Sequence, residues 1–149
     1  MEDRYDTQRR PIRLMMVEDQ VAEVTLMRKV LQDACPLQAE VISVLYAEDA
    51  IALLEADVNF DVVILDLSLP KMSGYDFLRR YKPQYPPAVV FSSSGDPNSS
   101  KQVLALGARE FIYKPMHYDD YVTVVRGIVE KWCDRSLGGR GDPGVTHGA

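Results

Sequence analysis

The stretch Asp61-Val62-Val63-Ile64-Leu65-Asp66-Leu67-Ser68-Leu69-Pro70-Lys71-Met72-Ser73-Gly74 decides the fold. Its first part is an unbroken Val/Ile/Leu run, the pattern of a strand buried on both faces, as the inner strands of a parallel sheet are. The run closes on Asp66, and a turn containing Pro, Ser and Gly follows at once. Ligands of open α/β sheets bind just beyond the carboxyl ends of such strands, so Asp66 stands where chemistry is expected. A second apolar run, Ile12 to Val17, closes on Glu18-Asp19. Carboxylates gathered at two strand ends repel one another unless a cation joins them.

Working outward, strands are expected at residues 12–17, 40–45, 61–65, 88–91 and 110–113. Apolar positions near a 3.6-residue spacing mark the helices between them. The first carries Val21, Val24, Met27, Val30 and Leu31 and ends at Cys35-Pro36. The second covers 47–56, and the third starts near Gly74 and carries Phe77, Leu78 and Tyr81. Pro83 and Pro86-Pro87 then favour extended backbone. Asp96-Pro97 reads as an N-cap followed by Pro at the first helical position, and Gly107 as a left-handed stop. The fifth helix runs from about Tyr118 to Trp132. Strands alternating with helices predict an α/β fold, a doubly wound parallel sheet of five strands with helices on both faces.

Residues 1–10 read as a polar leader, 11–134 as the folded domain, and 135–149 as a flexible Gly-rich tail. A net charge of -5 gives no overall attraction to nucleic acid. No stretch approaches the roughly 20 apolar residues of a membrane span, and no signal peptide is visible. Cys35 and Cys133 form no Cys-x-x-Cys pattern, so a reducing, cytoplasmic location is expected. Two histidines, His117 and His147, argue against a His-based metal or nucleophile site.

If strands 1 and 3 are neighbours, Asp19 and Asp66 meet at their carboxyl ends. Carboxylates and a loop carbonyl make a hard oxygen site suited to Mg²⁺. Strand 4 ends in Ser92, a hydroxyl donor, and strand 5 in Lys114, a mobile cation. Such a set of groups is suited to holding a phosphoryl group.

With Glu18-Asp19, Asp66 followed by Pro70 and Gly74, Ser92, and Lys114-Pro115 in order, the chain resembles the receiver domain of two-component response regulators of the chemotaxis type. The likeness covers about residues 12–132. It implies a (βα)5 flavodoxin-like sheet in the strand order 2-1-3-4-5. It also implies that Asp66 is a phosphoacceptor for a sensor histidine kinase and that Mg²⁺ is held by Asp19, Asp66 and the Ser68 carbonyl, with Glu18 acting through water. Ser92, with Ser93 beside it, and Lys114 would bind the phosphoryl group. Phe111 would be the aromatic switch, although ordinary core packing also explains it, and Pro115 would follow a cis peptide bond. Ser68 and Ser94 occupy the two positions that tune hydrolysis in this family. The expected function is that of a stand-alone response regulator, with a phosphorelay intermediate or phosphate sink as the alternative. The Phe91-to-Ser94 stretch resembles regulators paired with bacterial phytochrome kinases.

The fifth helix has a wider apolar arc than one buried face requires. Two accounts stand: a deeply packed helix, or a symmetric homodimer through Tyr121, Val125, Ile128, Val129 and Trp132. The dimer, with the helix 4–strand 5–helix 5 surface as the signalling face, is the expectation. Two other functions fit less well. A haloacid-dehalogenase-type phosphatase needs a second Asp two residues after Asp66, where Ser68 stands, so no enzyme acting on a separate substrate is expected. A flavin-phosphate binder needs an anion loop after strand 1, where Glu18-Asp19 would repel the phosphate.

Overall fold

The computed structural model describes residues 11–35, 38–56, 59–81 and 86–133. The leader at 1–10, Pro36, Pro83 and the tail with His147 lie outside the described residues.

Strands β1 (Ile12–Val17), β2 (Ala39–Val44), β3 (Val62–Leu65), β4 (Ala88–Ser92) and β5 (Glu110–Tyr113) alternate with helices α1 (Val21–Ala34), α2 (Ala47–Ala56), α3 (Gly74–Tyr81), α4 (Pro97–Ala105) and α5 (Tyr118–Trp132). All strand pairings are parallel, in the order β2-β1-β3-β4-β5. This is the flavodoxin-like arrangement that the resemblance implies.

Successive strand residues point to opposite faces, so one run feeds two cores. Leu14, Met16, Ile64 and Phe91 pack under α1 and α5, while Met15, Val17, Val63 and Leu65 pack under α2, α3 and α4. Every residue of β3 and β4 is buried, which is why neither shows a polar alternation. β3 begins one residue later than expected because Asp61 closes a reciprocal link with β1. The Arg13 N–H donates to its carboxylate at 2.8 Å, and its own N–H donates to the Arg13 carbonyl at 2.8 Å.

Local signals set the helix ends. The Asp96 carboxylate accepts from the Ser99 N–H at 3.0 Å, and the Ser99 hydroxyl accepts from the Asp96 N–H at 3.2 Å, a reciprocal cap opening α4. Gly107, at φ 108°, takes the left-handed stop that L residues avoid.

The expected dimer face on α5 is corrected by its burial. Tyr121, Val125, Ile128 and Val129 lie in the core beneath β1, β3 and β4, against α1. Trp132 packs at the edge of the same core and donates its indole N–H to Glu110 at 3.2 Å. Tyr121, Val125, Ile128 and Val129 are engaged inside the protein and present no face to a second copy, and Trp132 is half-buried. The wide apolar arc reflects a helix seated both on the sheet and against its neighbour, which buries more than one stripe.

Candidate functional site

Parallel register brings the acidic residues together. Val17 pairs with Leu65, so Glu18 and Asp66, the next residues on each strand, leave the sheet side by side. The Asp66 N–H donates to the Val17 carbonyl at 3.1 Å and fixes that exit. One carboxylate oxygen each from Glu18, Asp19 and Asp66 lies within 4.8 Å of the others. Glu18 and Asp66 are 2% and 8% exposed, and Asp19 is the more open of the three.

β5 delivers the cation. The Lys114 N–H donates to the Ser92 carbonyl at 3.0 Å, so both residues sit at the same end of the sheet. The Lys114 ammonium donates to Glu18 Oε1 at 2.8 Å, with both side chains almost fully covered. Burial raises the pKa of Glu18 despite this bond, and the charge of Asp66 pushes the same way. Burial also raises the pKa of Asp66, against the charge of Lys114, the Ser92 hydroxyl and the backbone N–H groups of Leu67 and Ser68. Burial works against the ammonium of Lys114, but Glu18, Asp66 and Glu23 together lift its pKa above the ordinary value.

Gly74 allows the turn after Asp66 to close. A Cβ there would lie 2.6 Å from the Asp66 carbonyl oxygen and 2.9 Å from the Leu67 Cα, too close for any side chain. The Gly74 N–H donates to the Leu67 carbonyl at 3.1 Å. Lys71 takes φ 66° within the same turn.

Ser92 is fully buried, and its hydroxyl accepts from the Ser94 N–H at 3.3 Å. The hydroxyl of Ser94 lies 3.4 Å from that of Ser92 and 3.4 Å from that of Ser68, so three hydroxyls run across the mouth of the site. Ser93 is exposed. Phe111 is half-buried and packs edge-on against Tyr113 at 4.9 Å, with its Cζ 3.0 Å from where a Cβ on Gly95 would be. Pro115 is half-buried directly after Lys114.

One participant escaped the sequence reading. Glu23, in the first turn of α1, places Oε1 3.5 Å from the Lys114 ammonium. An acid in a first helical turn is common for its interaction with the helix dipole, and that ordinary role hides this one.

The response regulator receiver domain family model matches residues 14–126. The two-component response regulator ORR3 of Oryza sativa is 26% identical over 122 residues, covering 79% of this chain and 91% of that protein. The cell cycle transcriptional regulator CtrA of Caulobacter vibrioides is 32% identical over 75 residues, 49% of this chain and 32% of that one. Among solved structures, the phosphorylated cyanobacterial phytochrome response regulator RcpA aligns at 26% identity with a TM-score of 0.71, over 82% of this chain and 94% of that one. The Mn²⁺-bound form of response regulator Rcp1 aligns at 25% identity and a TM-score of 0.71, over 83% and 96%.

Proposed function

The chain belongs to the response regulator receiver domain family, and from that premise we propose that it accepts a phosphoryl group on Asp66 from a sensor histidine kinase in a Mg²⁺-dependent transfer. The observation that carries this reading is the convergence of Glu18, Asp19 and Asp66 within 4.8 Å, with the Lys114 ammonium 2.8 Å from Glu18. Hard oxygen donors at that spacing fit a divalent ion. The burial that raises the pKa of Glu18 and Asp66 is a cost that such an ion would offset. Asp19, Asp66 and the Ser68 carbonyl would hold Mg²⁺, and Glu18 would act through a water. When bound, the ion supplies positive charge to the transferring phosphoryl oxygens.

An Asp66 carboxylate oxygen attacks the phosphorus of the partner's phosphohistidine. The O–P bond forms as the P–N bond breaks, and the imidazole leaves with the electron pair. Lys114 moves from Glu18 to a phosphoryl oxygen, and the Ser92 hydroxyl donates to another. Phe111 rests so close to Gly95 that movement of the 92–95 loop changes the room for its ring. The chain then acts as a phosphoacceptor, not as an enzyme turning over a separate substrate. Likeness to the cyanobacterial phytochrome response regulator RcpA supports a kinase of the bacterial phytochrome class as donor.

Intact-mass measurement after incubation with Mg²⁺ and acetyl phosphate tests the reading, with Asp66→Asn in parallel. A phosphate adduct on the unaltered chain, lost with chelator and in the variant, is expected. An unmodified chain under conditions that also trap short-lived adducts would overturn it.

A further inference from the structure

Among the described residues, two buried side-chain polar atoms have no hydrogen-bond partner: Glu23 Oε1 and the Tyr121 hydroxyl. One is an acceptor and the other a donor. Glu23 lies in the first turn of α1 and Tyr121 in the first turn of α5, and these helices share the same core. Edge-on packing against Phe91 at 5.4 Å holds the Tyr121 ring, which is 3% exposed. Burial, then the charges of Glu23 and Glu18, raises the pKa of its phenol, which places the hydroxyl within the field of both carboxylates.

Leaving such a pair unjoined is costly, because each buried polar group has lost its water. The 3.5 Å contact with Lys114 gives Glu23 an electrostatic partner without a hydrogen bond. Lys114 thus makes ion-pair contacts with two carboxylates, Glu18 at 2.8 Å and Glu23 at 3.5 Å. If Lys114 turns to a phosphoryl oxygen, Glu23 loses that partner and the Tyr121 hydroxyl is the buried donor left on the same seam.

We propose that Glu23 is a positioning residue that holds Lys114 while the phosphoryl site is empty and takes the Tyr121 hydroxyl as its partner once Lys114 has moved to a phosphoryl oxygen. The proposal rests on Asp66 being the phosphoryl site. It ties occupancy of that site to the α1–α5 seam through a bond absent from the empty state. Neither Glu23 nor Tyr121 touches the reacting atoms.

The test is the affinity for beryllofluoride, a phosphoryl mimic, at saturating Mg²⁺, together with the melting temperature without ligand. Four chains are compared: unaltered, Tyr121→Phe, Glu23→Ala and the double variant. Tyr121→Phe is expected to weaken mimic binding about tenfold, the worth of one hydrogen bond to a charged acceptor. In the Glu23→Ala background the same change is expected to alter binding less than about twofold, as a coupled pair requires. Without ligand, Tyr121→Phe is expected to keep or raise the melting temperature, because it removes an unpaired buried hydroxyl. Unchanged mimic affinity in Tyr121→Phe overturns the proposal, as does an equal loss in both backgrounds. A lowered melting temperature without ligand also overturns it, because the hydroxyl would then already be engaged. Failure of the unaltered chain to bind the mimic would instead refute the phosphoacceptor reading itself.

Discussion

Replacing Lys114 by Met removes the ammonium and keeps an aliphatic stem of similar length. In the folded chain Lys114 is the cation beside Glu18 and Asp66, and the side chains of Lys114 and Glu18 are only 8% and 2% exposed. Breaking one half of a buried pair costs about 3–5 kcal/mol, because the surviving charge stays buried and unanswered. The site opens to solvent at Asp19, so the low end applies, about 3 kcal/mol at pH 7.5 with chelator present. At a urea slope of about 1.5 kcal/mol/M, the midpoint falls by about 2 M. The pH dependence has a definite sign. Burial already holds the pKa values of Glu18 and Asp66 above their ordinary values of 4.5 and 3.8, and losing Lys114 raises them further. A carboxyl group whose folded pKa is raised keeps its stability contribution below the unfolded pKa and loses it as pH rises through the folded one. The variant's deficit should therefore be largest at pH 7.5 and shrink as pH falls toward the ordinary carboxyl range. Urea titrations across that range, with chelator, measure it. A variant as stable as the unaltered chain at pH 7.5, or a deficit that does not change with pH, would refute the argument that Lys114 offsets buried negative charge.

Three further outcomes follow from the geometry. Gly74→Ala should cost about 2 kcal/mol, because its Cβ would meet the Asp66 carbonyl at 2.6 Å and backbone must shift, read as a lowered denaturation midpoint. Ile128→Ala should cost about 2–4 kcal/mol, as expected for truncating a side chain only 2% exposed. A loss below about 0.5 kcal/mol, typical of surface positions, would reinstate α5 as an outer face. Asp96→Ala should cost about 1 kcal/mol by removing the cap of α4. Its effect on uptake of a phosphoryl group should be small, checked by the rate of adduct formation from acetyl phosphate.

Much of the fold was legible because it rests on local patterns. The 62–65 and 12–17 runs are apolar at every core position, and the Asp96-Pro97 cap and the Gly107 stop depend only on neighbouring residues. The acids and the lysine were legible for a related reason. Each sits directly after a strand, and in a parallel sheet all carboxyl ends meet on one edge. α5 was misread because composition records how apolar a helix is, not how many elements cover it. Glu23 was missed because its partner is Lys114, 91 residues away just after β5, and no local pattern marks that pairing.

The sequence by itself determined the layering, the strand ends and the acids, serine and lysine that stand at them, because burial and chain direction follow from short-range periodicity. Only the tertiary structure decided which charges share one space. It set the β1–β3 register that aligns Glu18 with Asp66, the packing of α5 against α1 that buries most of the supposed dimer face, and the placing of Glu23 beside Lys114. Electrostatic and packing energies depend on distance in space, and elements far apart in the chain set those distances when they meet.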